Sequence, residues 1–248
     1  TSHFAQVGGL TTLKAWLEER RPVMLGESKP GLDAPKGILL LGIQGSGKSL
    51  AARAVAGAWS LPLLRLDFGA LYNKYFGETE RNLRDALALA DTMSPCILWL
   101  DEIEKGISTR RDDSGMAQRL LGTLLTWMAE RRSRAFIVAT SNDISQLPPE
   151  LVRKGRLDEI FFVDLPREST RAEIFAIHLA KRGHDVESFD LGTLAALSEG
   201  FSGAEIEQAV VSAMYAAAAA DETLANAGIE QAVSSTNPLS IVMRERVL

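Results

Sequence analysis

Short apolar runs alternate with longer segments of helical periodicity along roughly the first two thirds of the chain. Residues 37–42 (GILLLG) form a continuous apolar run bounded by Pro35 and glycines, the pattern of a strand buried on both faces. The alanine-rich stretch 48–59 predicts a helix, and 61–66 predicts a second strand. Residues 79–93 carry Leu83, Leu87 and Ala90 at helical spacing, and the apolar run that follows from Cys96 to Leu100 ends in Asp101 and Glu102. A helix over 115–131, a strand over 135–140 and a further strand over 160–163 complete the series. Strands alternating with helices imply a parallel sheet with helices on both faces.

After Pro166 no β-rich run remains, and 169–182, 190–198 and 203–225 all read as helices. The alanine run 216–220 falls within the last of these, and alanine is the strongest helix former. The expected fold class is therefore α/β: a parallel five-stranded sheet between helices over residues 1–166, followed by a small all-helical subdomain over 167–248.

Composition narrows the class without pointing to chemistry. A chain of 248 residues with 46% hydrophobic and 24% charged residues is neither disordered nor collagen-like, and no segment is long and apolar enough to span a bilayer. The net charge of −5 opposes a global nucleic-acid-binding field, and the small cluster Arg131, Arg132 and Arg134 is interrupted by Ser133 and reads as a solvated helix end. A single cysteine, Cys96, cannot form an intramolecular disulfide; within its apolar run it reads as a buried thiol of a reducing compartment. The N-terminus shows neither a methionine nor a signal-peptide pattern, so the expectation is a fragment flanked by further sequence.

Chemistry enters at Gly42-Ile43-Gln44-Gly45-Ser46-Gly47-Lys48-Ser49, which satisfies G-x-x-x-x-G-K-[ST] between an expected strand and an expected helix. Backbone N–H groups from Gly45, Ser46 and Gly47 through Lys48, Ser49 and Leu50 are expected to wrap a polyphosphate, with Lys48 adding a point charge and Ser49 holding Mg²⁺. Asp101 and Glu102 end a strand where a parallel sheet opens at its carboxyl edge, the usual place for a ligand crevice. Asp101 suits the support of Mg²⁺ through its water shell, and Glu102 suits the activation of a water in line with the γ-phosphate. Asn142, closing the fourth strand after Thr140 and Ser141, is expected at the same edge.

On these motifs the chain resembles the AAA+ ATPases, in the branch of valosin-containing protein, katanin, the proteasomal ATPases and FtsH, from about Val7 to Met214. The resemblance implies ATP and Mg²⁺ as cofactors, with 42–49 as Walker A, 97–102 as Walker B and Asn142 as sensor 1. It implies that Val7 and Gly8 pack on adenine, that His178 approaches the adenosine part, and that the backbone at Gly203 and Ala204 contacts the base. Arg153 and Arg156 resemble arginine fingers that complete a neighbouring subunit's site, which implies a homo-oligomer, in this family a hexamer. Lys74, Tyr75, Phe76 and Gly77 resemble a pore loop that grips extended polypeptide, and 108–115 lies at the second pore-loop position.

The chain departs from that branch at Ile43 and Gln44, at Phe76 and at Lys154, none of which removes a catalytic group. The phosphate loop itself, residues 95–99 and 125–128, and the tail near Pro238 resemble a narrower group: AAA proteins of cyanobacteria, plastids and other bacteria known as hypothetical chloroplast reading frames. The expected function is an ATP-driven ring motor acting on a protein in the cytoplasm or plastid stroma; the alternative is a slow, nucleotide-gated regulatory or assembly ATPase in signalling or carbon regulation. A GTPase or small-molecule kinase fits less well, because Asn73-Lys74 is followed by Tyr75 and Phe76 instead of completing the guanine-reading Asn-Lys-x-Asp pattern.

Overall fold

The computed structural model describes residues 11–27, 29–42, 47–71, 76–107, 115–152 and 156–238. By contact, these residues divide into two compact units, the first taking in Thr11–Gly42 and Lys48–Phe162, the second beginning at Val163 and including Gly47.

In the first unit the chain runs α1 (Thr11–Met24), β1 (Gly37–Leu41), α2 (Lys48–Trp59), β2 (Leu63–Asp67), α3 (Phe68–Leu71), α4 (Phe76–Thr92), β3 (Cys96–Asp101), α5 (Glu104–Ile107), α6 (Met116–Glu130), β4 (Ala135–Ser141), α7 (Pro149–Val152) and β5 (Glu159–Phe162). The five strands form one sheet in the order β2-β3-β4-β1-β5, every pairing parallel. β1, β3 and β4 are buried at every position, as strands covered on both faces must be, and this is why they read as unbroken apolar runs. One face packs Leu39, Leu98, Leu100 and Ile137 against Leu83 and Leu87 of α4 and Leu120 and Leu124 of α6. The chain steps from β1 to the β2 edge, returns through β3 and β4, and passes to the far side of β1 for β5, so the connections diverge around β1 and β4, the place where parallel sheets take ligands at their carboxyl ends.

α1 is an element the apolar pattern did not single out. Leu13, Leu17 and Met24 on it are fully or almost fully buried, and Trp16 stands 6.0 Å from Phe136 and 5.9 Å from Phe161, ring centroid to centroid. Trp59 of α2 meets Phe136 edge-on at 4.7 Å and donates its indole N–H to the Leu17 carbonyl at 3.0 Å, so an aromatic cluster joins α1, α2 and the sheet. The helix was missed because it carries Pro22 and charged residues on its outer face.

The second unit consists of α8 (Glu168–Lys181), α9 (Leu191–Leu197), α10 (Gly203–Ala219) and α11 (Asn226–Ser234) around Phe175, Leu179, Leu194, Phe201, Ile206, Val210 and Ile229. Buried Arg171 reaches from α8 to the Ala195 carbonyl through Nε and Nη2, at 3.0 and 2.8 Å, and to the Pro166 carbonyl through Nη1 at 3.0 Å. The expected single helix over 203–225 is corrected: α10 stops at Ala219, the backbone turns left-handed at Asp221 (φ 54°), and a separate helix starts at Asn226. The alanine run allowed the helix to continue, but folding Ile229 and Val233 back into the core required a turn. Among the described residues, no helix is long and apolar enough to cross a membrane.

Candidate functional site

Four of the expected site residues, Lys48, Asp101, Glu102 and Asn142, come together at the carboxyl edge of β1, β3 and β4. Gly47, at φ 104°, makes the left-handed turn that a glycine tolerates, and Lys48 opens α2 directly after it. The Lys48 ammonium is buried and donates to the Gly42 carbonyl at the end of β1, at 2.7 Å. Burial pulls its pKa down to about 8, opposed by the negative charges of Glu104, Asp101 and Glu102. Ser49 and Leu50 follow on the first turn of α2, Ser49 exposed.

Asp101 is the last residue of β3, and both of its oxygens are engaged. Thr140 of β4 donates its hydroxyl to Oδ1 at 2.7 Å, and Arg65 of β2 donates to Oδ2 at 2.7 Å. Arg65 lies over the Trp99 ring at 4.7 Å and 3.8 Å from Asp67, and its hydrogen bond to Asp101 raises its pKa. The Thr140 oxygen in turn accepts from the Glu102 backbone N–H at 3.0 Å, so one hydroxyl joins the two acidic positions. Thr140→Val keeps the side-chain shape and removes this link, leaving a buried carboxylate oxygen and the Glu102 N–H each short of a partner. Urea unfolding is expected to show a loss of about 1–3 kcal/mol, with Thr140→Ser close to the parent; an unchanged midpoint in the valine variant would show that the bridge carries no weight.

Glu102 departs from the strand in a left-handed conformation, φ 52°, uncommon for a residue with a Cβ and frequent at functional turns. Its carboxylate pairs with Lys105 at 2.5 Å across i,i+3. Glu104, two residues on, is buried: Oε1 accepts from the Asn142 backbone N–H at 3.2 Å, and Oε2 has no hydrogen-bond partner among the described residues. Asn142 is thereby held just past β4, beside the Asp101 and Glu102 strand.

Among the described residues, no group of three or more His, Cys, Asp or Glu side chains is placed to hold a metal by itself. Asp101, its oxygens already bonded to Thr140 and Arg65, and the exposed Ser49 fit Mg²⁺, which keeps waters and completes its shell with substrate phosphates.

Arg156 is half-buried in a turn before β5 and donates through Nη1 to the Leu125 carbonyl of α6 at 3.1 Å. Its neighbour Asp158 accepts from the N–H groups of Lys36 and Gly37 at 2.6 and 2.8 Å, pinning the entry to β1. In the second unit, His178 on α8 stands 3.9 Å from Glu207 on α10, and burial lowers its pKa. Gly203 and Ala204 form the first turn of α10 behind Ser202, whose hydroxyl accepts from Glu205 N–H while Glu205 accepts from Ser202 N–H, at 3.2 and 3.0 Å. Val7, Gly8, Gly45, Ser46, Lys74, Tyr75 and Arg153, the second pore-loop position at 108–114, Lys154 and the tail from 239 lie outside the described residues; Phe76 and Gly77 begin α4.

Comparison with known proteins agrees with this fold. Residues 38–165 match the model of the ATPase family associated with various cellular activities (AAA), and 188–228 match an AAA+ lid domain. The chain belongs to the AAA ATPase family. An uncharacterized AAA domain-containing protein ycf46 of Pyropia yezoensis is 44% identical over 245 residues, 97% of this chain and 50% of the relative. More distant are a proteasome-activating nucleotidase of Aeropyrum pernix, 39% identical over 75% of the chain and 46% of the relative, and the 26S proteasome subunit RPT4 of Saccharomyces cerevisiae, 35% identical over 86% and 51%. The chain thus spans about half the length of the curated relatives it matches.

In this AAA chain, sequence reasoning passed over Arg65, Glu104 and Lys105 and took Thr140 only as part of a strand end. Glu104 carried a signal, a third acid within four residues of Asp101. Arg65 carried none, since its partner lies 36 residues away on the neighbouring strand.

Proposed function

We propose that this chain binds ATP with Mg²⁺ and hydrolyses it, as one subunit of a homo-oligomeric ring, a hexamer, that remodels or threads a protein substrate. The observation that carries the reading is the convergence of Lys48, Asp101, Glu102 and Asn142 at the carboxyl edge of three adjacent parallel strands. Lys48 and the loop glycines would take the phosphates, Ser49 and Asp101 the Mg²⁺, Glu102 the attacking water, and Asn142 the γ-phosphate or that water. A bound Mg²⁺, held through Ser49 and Asp101, would supply charge neutralisation on the phosphates; the rest is positioning by these side chains.

Residues 1–166 serve in this reading as the nucleotide-binding subdomain and 167–248 as a lid, with Val7, Gly8, His178, Gly203 and Ala204 near the base. Arg153 and Arg156 act on a neighbour's nucleotide, and Lys74, Tyr75, Phe76 and Gly77 grip the protein substrate. The relatives named for the proteasome support a protein substrate, and the acidity of the chain argues against nucleic acid. The ycf46 relatives are consistent with work in a plastid stroma or a cytoplasm.

A second reading, a slow nucleotide-gated regulatory ATPase, is favoured by one feature: the carboxylate assigned to water is held by Lys105. Both readings require a shared site. Specific ATPase activity of the full protein is expected to rise steeply with protein concentration, because an arginine supplied in trans stabilises transition-state charge by orders of magnitude. Activity that is proportional to concentration throughout, with no cooperative rise, would rule out the shared site.

A further inference from the structure

We infer that Lys105 is a positioning residue that restrains Glu102, so that the chain carries a built-in brake on its own hydrolysis. This rests on the proposed assignment of Glu102 to the attacking water. The Lys105 ammonium donates to Glu102 Oε2 at 2.5 Å, an oxygen that a water-activating carboxylate needs for accepting a proton. An ammonium at that distance occupies this oxygen and draws the side chain towards α5, away from any position facing a bound phosphate.

The surrounding packing makes the pair a fixture of the fold. The backbone of the same turn closes with Lys105 N–H donating to the Glu102 carbonyl at 3.0 Å. Gly106, the next residue, lies so close under Phe68 that a Cβ there would stand 2.0 Å from the Phe68 ring, and Phe68 is fully buried. That contact fixes α5 against α3. On the other side, a Cβ on Gly69 would come within 3.2 Å of Lys105 Cδ and 3.3 Å of Glu102 Oε2, so the ion pair lies directly against the α3 backbone. The left-handed φ of Glu102 aims its side chain into this corner. Among the described residues, Arg65 bonds Asp101 and Lys48 donates to the Gly42 carbonyl, while Lys105 is the cation hydrogen-bonded to Glu102.

The side chain of Lys105 is half-exposed and that of Glu102 about a quarter, so the pair is of the modest surface-pair class and breaking it changes a rate by a small factor. In the full protein, Lys105→Ala is expected to raise kcat by about two- to fivefold with KM unchanged and thermal stability preserved. Lys105→Arg, which keeps a cation at the same reach, should bring kcat back towards the parent value, and Lys105→Ala combined with Glu102→Gln should be as inactive as Glu102→Gln alone. A kcat at or below the parent in Lys105→Ala, or a KM that moves with it, overturns the brake. If instead Glu102→Gln by itself hydrolyses ATP at the parent rate, the water-activating assignment fails, and this inference goes with it.

Discussion

Glu102→Gln is expected to lower ATP hydrolysis by about 10²–10⁴-fold, the range for losing a positioned general base, while ATP binding persists. The amide matches the carboxylate in shape, and the Thr140 hydroxyl bonds the Glu102 backbone N–H, which the substitution leaves in place. The left-handed turn is therefore retained and only the proton acceptor is removed. A fluorescent ATP analogue read by anisotropy should bind as tightly as before, while phosphate release under the same conditions falls to the lower value. Simultaneous loss of binding and hydrolysis would place Glu102 in the architecture of the edge instead of in the reaction.

Lys48→Ala is expected to show the second largest effect, this time on binding. Hydrogen bonds to a charged group contribute about 1.5–3 kcal/mol, so ATP affinity should weaken by about one to two powers of ten. Alanine also removes a positive charge that interacts with Glu104, Asp101 and Glu102, and the edge becomes more repulsive to phosphate. The unmodified protein should show a matching pH dependence. A lysine with its pKa lowered to about 8 is fully charged below that value and loses its proton above it. ATP affinity should accordingly hold from pH 6.5 to 7.5, then fall by up to about one power of ten per pH unit beyond pH 8, as binding comes to require proton uptake. Lys48→Arg, charged throughout, should flatten the profile. Isothermal titration in two buffers of different ionisation heat would read the proton uptake directly, and a flat profile in the parent would disprove the role of the ammonium.

Much of the sheet edge that carries Lys48, Asp101 and Glu102 was legible because its information is local. The phosphate loop is a contiguous run of eight residues, and the strands around it are buried on both faces, so β1, β3 and β4 announced themselves as apolar runs of the right length. The helical second unit was legible for the same reason, except at Ala219, where continued helix propensity competed with a turn needed to bring Ile229 into the core. α1 was less readable. Leu13, Trp16 and Leu17 have the right spacing, but only the presence of Phe136 and Phe161 across the sheet makes that stripe worth burying.

Lys105 shows a different limit. Its pairing with Glu102 spans three residues, well within reach of a local reading, yet it depends on a left-handed glutamate and on a one-turn helix pinned by Phe68 over Gly106. Neither leaves a mark in periodicity, because a helix of four residues has none.

The sequence by itself determined that a G-x-x-x-x-G-K-[ST] motif falls between an apolar strand and a helix, that two carboxylates follow another apolar run, and that a helical unit comes after them. Those features are set by neighbours in the chain, through backbone propensity and the pattern of burial. Only the tertiary structure decided that Thr140 joins Asp101 to Glu102, that Arg65 holds the second oxygen of Asp101, and that Glu104 steadies Asn142, across 36 to 39 positions of sequence. Strand order brings those partners together, and strand order follows from how the whole sheet buries its two faces, which no single segment specifies.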